Sequence, residues 1–153
     1  MTHTDPIHGG TPIEQILAAT ELSIHPDRFV LVGLSPQERR RIEASLAAWA
    51  DSPLQYIVEP DVLTLLLPEQ TWARTATQFP DARVEGPLRL FSFSVAMEWS
   101  VVGFLAAVTG LLAANGIPLG AVCGYYRDHL FIAEEFAAGA EAILRIELAR
   151  YQQ

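Results

Sequence analysis

Hydrophobic residues along this chain recur with two different periods, and the switches between them mark its elements. From Leu88 to Val95 the pattern alternates, with Phe91, Phe93 and Val95 on one side and Leu90, Ser92 and Ser94 on the other. That period predicts a strand with one face in a core and one partly open. Phe29-Val30-Leu31-Val32, closed by Gly33, reads as a buried strand. Leu54 to Val58 and Val62 to Leu67, separated by Glu59-Pro60-Asp61, read as a hairpin. Leu119 to Tyr126 and His129 to Ile132 read as a second hairpin around Arg127-Asp128. Helical spacing takes over elsewhere. Thr11 as cap, Pro12 in the first position and Glu14 in the first turn open a helix with Ile13, Ile16 and Leu17 on its apolar stripe. Ser35-Pro36 opens another, with Ile42, Leu46 and Trp49 opposite Arg39, Arg40, Glu43 and Asp51. Pro68-Glu69-Gln70 starts a short helix reaching Phe79, after which Pro80 and Glu85-Gly86-Pro87 read as breaks. Trp99 to Asn115 is helical, ended by Gly116. Glu134 to about Tyr151 forms the last helix, with Phe136, Ala140, Ile143, Leu144 and Leu148 inward.

The order strand, helix, strand, strand, helix occurs twice. It matches the split β-α-β arrangement, so the expected class is α+β, ferredoxin-like, with antiparallel sheets and helices on one face. The expected division is a flexible lead over 1–10, a first half over 11–86 and a second over 87–153. Neither half shows an obvious last strand. Ala82 to Glu85 can serve the first; nothing after Gln153 can serve the second, whose edge must be short, capped by the other half or paired across a dimer. The helix from Trp99 carries a stripe of small residues, Gly103, Ala107, Gly110 and Ala114, which predicts close cover by a second helix or subunit.

Composition narrows the function classes. Half of the 153 residues are hydrophobic and 18% are charged, which excludes intrinsic disorder. Ten arginines, with no lysine, face 18 acidic residues for a net charge of −8. Such a body repels phosphate backbones and anionic lipid, so neither nucleic acid nor a membrane surface is an expected partner. The N-terminus lacks the basic start and apolar core of a signal peptide. The uncharged stretch Trp99 to Tyr126 could span a bilayer in length, but Asn115-Gly116-Ile117-Pro118 interrupts it. A lone Cys123 forms no internal disulfide, which suits a reducing, cytoplasmic compartment.

The segments Arg89-Leu90-Phe91-Ser92-Phe93, Met97-Glu98-Trp99-Ser100-Val101-Val102-Gly103, Asn115-Gly116-Ile117 and Gly124-Tyr125-Tyr126-Arg127-Asp128-His129-Leu130-Phe131-Ile132 together resemble the small ACT-domain proteins of bacteria. Within them the chain is similar to a tandem-ACT group with a Gly-Tyr-Tyr-His-Asp-His-hydrophobic-Phe-Val segment. Arg127 stands where that group has its first histidine, and Ala133 replaces a proline. The likeness covers most of 86–150 and is looser in the first half. It implies a regulatory module that binds amino acids or similar ligands at domain interfaces.

The chemistry fits that implication. Free N–H groups at a helix start attract a carboxylate, and Glu98 beside them can hold an ammonium group, so one helix start reads both ends of a zwitterion. The expected ligand-binding residues are Met97, Glu98, Trp99, Ser100, Val101 and Gly103, set against Gly120 and Val122 of a neighbouring domain's strand. Tyr126, Asp128 and His129 are secondary candidates. Alternatively Glu98 or Ser100 caps its own helix. Asp128 and His129 point to opposite strand faces, a poor metal pair, and His3, His8 and His25 lack ligand spacing. Cys123, without a cation nearby, reads as an inert small hydrophobe. No catalytic residue, metal or cofactor is therefore expected. The reading is a non-catalytic homodimer binding a small amino-acid-like molecule, with a ligand-free protein-interaction module as the alternative and a small enzyme using Asp128 and His129 as the third.

Overall fold

In the computed structural model, which describes residues 6–49 and 55–153, the elements follow in the order α1 (Ile13–Ala18), β1 (Leu22–Leu34), α2 (Arg39–Leu46), β2 (Gln55–Val58), β3 (Leu63–Pro68), α3 (Glu69–Ala73), β4 (Arg83–Phe93), α4 (Phe104–Ala114), β5 (Gly120–Cys123), β6 (Asp128–Ala133) and α5 (Glu134–Tyr151). His3, Asp51 and Leu54 lie outside the described residues. The chain divides into two compact units, Pro26–Arg89 and, around it in sequence, the residues up to His25 together with Leu90–Gln153. This differs from the expected 11–86 and 87–153: residues 11–25 belong with the C-terminal segment.

In the unit 26–89, strand order is β2-β3-β1-β4. β3 runs antiparallel to β1, from Phe29 opposite Pro68 to Leu34 opposite Leu63, and to β2, from Gln55 opposite Leu66 to Val58 opposite Leu63. The last strand is residues 83–89, in line with the expectation for Ala82 to Glu85. Alternate residues Val30, Val32, Leu34, Leu63, Leu65 and Leu67 enter one core with Ile42, Trp49, Trp72 and Phe79. Ser35 accepts a bond from the Gln37 amide, as the capping pattern predicts, ahead of a 3-10 turn over Pro36–Glu38.

The other unit repeats the order as β5-β6-β4-β1. Its first strand is the end of β4, followed by α4, the β5–β6 hairpin and α5. Its fourth strand comes from the opposite end of the sequence: residues 22–25, the opening of β1. The Ser94 amide donates to the Glu21 carbonyl at 2.9 Å, and the Ser23 hydroxyl reaches the Ser92 carbonyl at 3.4 Å. The missing strand of the second half is therefore supplied by residues that precede the first. α1 comes with it, so that Ile16, Leu17 and Leu22 share a core with Phe91, Phe93, Val108, Leu112, Leu130, Ile132, Ala140, Leu144 and Leu148. The side chain of Gln152 donates to the Thr20 carbonyl at 3.1 Å, placing the end of α5 where its following strand begins.

Several boundaries depart from the sequence pattern. Gly86-Pro87 reads as a break, yet it lies inside β4, as Pro26 lies inside β1, because proline's fixed φ suits extended backbone. Pro12, not Thr11, precedes α1, with no side-chain cap bond. β5 stops at Cys123, and the reversal runs from Gly124, whose amide donates to the Arg127 carbonyl at 2.7 Å, rather than through Arg127-Asp128. The helix expected from Trp99 begins only at Phe104. Gly103 in front of it has φ +98°, a left-handed conformation that ends any continuous helix and that other residues adopt at a cost. At its far end the amides of Gly116 and Ile117 donate to the carbonyls of Ala113 and Leu112, a Schellman closure. Of the small stripe, Ala107 lines a gap of about 60 Å³ with Leu144 and Leu148, while Gly110 and Ala114 are exposed.

The flexible lead also needs correction. Residues 7–9 are tied down: the Ile7 amide donates to the Ala96 carbonyl at 2.8 Å and the Glu98 amide to the Ile7 carbonyl at 2.9 Å.

Candidate binding cleft at the start of α4

The stretch between β4 and α4 turns away from the core after Val95. Met97 stays buried, and its amide donates to the Tyr126 carbonyl at 2.9 Å, which couples this loop to the 124–127 turn. Between the two lies a cleft of about 280 Å³ lined by Met97, Glu98, Trp99, Val101, Gly103, Phe104, Leu105, Ala106, Cys123, Gly124, Tyr125, Tyr126, Arg127 and Asp128. A wider hollow of about 830 Å³ shares part of this wall and adds Pro6 and Ser100.

The floor of the cleft is the first turn of α4. An α-helix leaves its opening amides without partners inside the helix. Gly103 precedes this helix with no side-chain cap bond, and the first helical bond runs from the Ala107 amide to the Gly103 carbonyl at 2.9 Å. Phe104, Leu105 and Ala106, which carry the opening amides, all line the cleft. Glu98 and Ser100 therefore do not cap α4, against the alternative reading of the sequence; they stand one turn away, bonded to each other at 3.3 Å.

Six expected loop residues thus border the two hollows: Met97, Glu98, Trp99, Val101 and Gly103 the smaller, and Ser100 the wider. Gly120 and Val122 lie outside both linings, on β5, where Gly120 is exposed and Val122 half-buried. Tyr126 and Asp128 line the cleft and His129 does not. The free Glu98 carboxylate of the sequence reading is in fact engaged, its Oε1 lying 2.8 Å from Nδ1 of His8. The sequence reading missed Gly124, Tyr125, Arg127 and His8, because only the folded chain brings them to this loop.

Asp128 accepts a hydrogen bond from the Cys123 thiol. That bond, with burial and the carboxylate's charge behind it, pushes the thiol pKa up and keeps it protonated. Cys123 is exposed and hydrogen-bonded rather than packed as a small hydrophobe. His129 faces the other side of the sheet, its Nδ1 2.8 Å from the Ser92 hydroxyl. Among the described residues no three His, Cys, Asp or Glu side chains cluster as a metal set, and no helix is long and apolar enough to cross a membrane.

Burial lowers the His129 pKa; the Asp128 charge opposes this and Arg127 adds to it. Below about pH 6.5 the unfolded chain takes up a proton here that the folded chain resists, so stability should fall as pH drops through that value. Above it the group costs nothing. His129→Gln should flatten this acid-side slope in a melting series between about pH 7.5 and 5. An unchanged slope would assign the acid sensitivity to other groups.

The units are ferredoxin-like, with a cleft at the strand-to-helix loop of the one that contains α4. Residues 83–145 match the family model described as ACT domain. The whole fold resembles a protein of unknown function from Vibrio cholerae (23% identity, 92% of this chain and 96% of that one, TM-score 0.69). It also resembles a protein from Agrobacterium tumefaciens (21%, 87% and 89%, 0.64). A third similar structure is the ligand-free regulatory subunit of aspartate kinase from Thermus thermophilus (13%, 81% and 93%, 0.61). Among curated proteins, none matches the sequence.

Proposed function

We propose that this chain is a non-catalytic regulatory ACT-type protein of the cytoplasm that binds an amino acid or similar small zwitterion where two copies, or two domains, meet. The observation that carries this reading is the uncapped first turn of α4, whose amides open on the cleft beside Glu98. A carboxylate satisfies those amides and gains from the helix dipole, while the Glu98 side receives the ammonium group. A volume of about 280 Å³ lies at the small end of ligand pockets, which suits a ligand of that size. Trp99, Tyr125 and Val102 are 98%, 90% and 84% exposed beside the cleft, an apolar rim of the kind that marks an interface. A second copy seated there would bring its own Gly120 and Val122 toward the ligand.

The same rim favours one other reading, a protein-interaction module without a small ligand. A thermal-shift series with the twenty amino acids, on protein refolded to strip any bound molecule, separates the two. A ligand at 100 times its Kd adds about 2.7 kcal/mol of stability. One or a few amino acids should raise the melting temperature, and Glu98→Gln should abolish most of that rise. A flat series would leave the interaction module standing, and an undiminished rise in the Glu98 variant would move the site elsewhere.

A further inference from the structure

Residues 7–9 approach the cleft from outside the loop that forms it. Ile7 exchanges backbone bonds with Ala96 and Glu98, and the Gly9 amide donates to the Ser100 hydroxyl at 2.9 Å. The approach is so close that a Cβ on Gly9 would lie 2.7 Å from Ser100, so a larger residue would force the segment away. Between these two anchors, His8 Nδ1 stands 2.8 Å from Glu98 Oε1, the distance of a charge-assisted hydrogen bond. The other carboxylate oxygen, Oε2, accepts from Ser100. Both oxygens of the one acid expected to receive an ammonium group are thus held by the chain itself, and the His8 side chain remains largely exposed.

We infer that residues 6–9 form a strap whose His8 competes with the ligand's ammonium group for Glu98. This rests on the binding reading given above. Strap closure and ligand occupancy exclude one another: the ammonium takes Oε1, His8 swings into solvent, and the Ile7 and Gly9 bonds loosen with it. An exposed pair of this kind is weak, so the strap lowers affinity modestly and yields to ligand.

The test is calorimetric titration of the full chain, His8→Ala and Gly9→Val with each of the twenty amino acids, with amide exchange of Glu98 followed in parallel. His8→Ala should bind the same amino acid about two- to fivefold more tightly than the unaltered chain, and Gly9→Val should shift affinity the same way. The Glu98 amide, which donates to Ile7, should exchange faster with ligand bound. Equal affinity in all three proteins, or weaker binding after His8→Ala, overturns the strap while leaving the binding reading in place. Binding by none of the three overturns both.

Discussion

A fragment of residues 87–153 should be unfolded in solution, although it holds the segment most recognisable in the sequence. It lacks α1 and the opening of β1, and with them the buried side chains Ile16, Leu17 and Leu22. Removing buried aliphatic side chains costs about 2–5 kcal/mol each, so losing three consumes the roughly 5–15 kcal/mol of net stability that a whole domain commands. The fragment would also expose the edge of β4 that residues 22–25 otherwise cover. Joining residues 6–25 behind Gln153 through a flexible linker long enough to reach Pro6 should restore a folded unit, because it returns α1 and the closing strand to the core. Circular dichroism melts of the two fragments decide the point. A cooperative melt from 87–153 alone would show that the N-terminal strand is dispensable.

Phe93→Ala should cost about 3–5 kcal/mol. Phe93 is fully buried, and its ring meets Phe104 edge-on with centroids 5.3 Å apart and planes at 82°, a contact that adds to the cavity penalty. For a chain of this length that loss lowers the melting temperature by roughly 10 °C. Leu65→Ala, fully buried in the other core, should be only somewhat milder. The two differ in reach. Phe104 is the first residue of α4 and lines the cleft, so losing its partner loosens the turn whose amides open on that cleft. Phe93→Ala should therefore weaken amino-acid binding well beyond Leu65→Ala when both are titrated below their melting temperatures. Equal affinities would show that the helix start holds its shape without Phe93.

The elements were legible wherever burial imposed a strict period. Phe91 and Phe93 in β4 alternate with Leu90 and Ser92 as the sheet demands, and α5 buries Ala140, Leu144 and Leu148 on one stripe. The opening of β1 was not legible, because Ser23, His25, Pro26, Asp27 and Arg28 carry no run of apolar residues and include a proline. Its role as the closing strand depends on a pairing between residues about 70 positions apart, which no local pattern encodes. Trp99 to Val102 read as helix because the whole stretch is uncharged, yet Gly103 sets the boundary through its backbone angle. The loop 97–103 was legible as a strand-to-helix junction, since that is a local feature, and it borders the cleft. The turn 124–127 and His8 join it only by tertiary contact.

Residues 26–89 form a contiguous unit, complete as soon as they have left the ribosome, whereas its companion must hold residues 6–25 in waiting until Leu90–Gln153 are made. Synthesis thus imposes an order on folding: the interior segment first, the unit that carries the cleft last. During that interval Ile16, Leu17 and Leu22 have no core to enter, which makes the nascent N-terminus the part of this chain most in need of protection from aggregation.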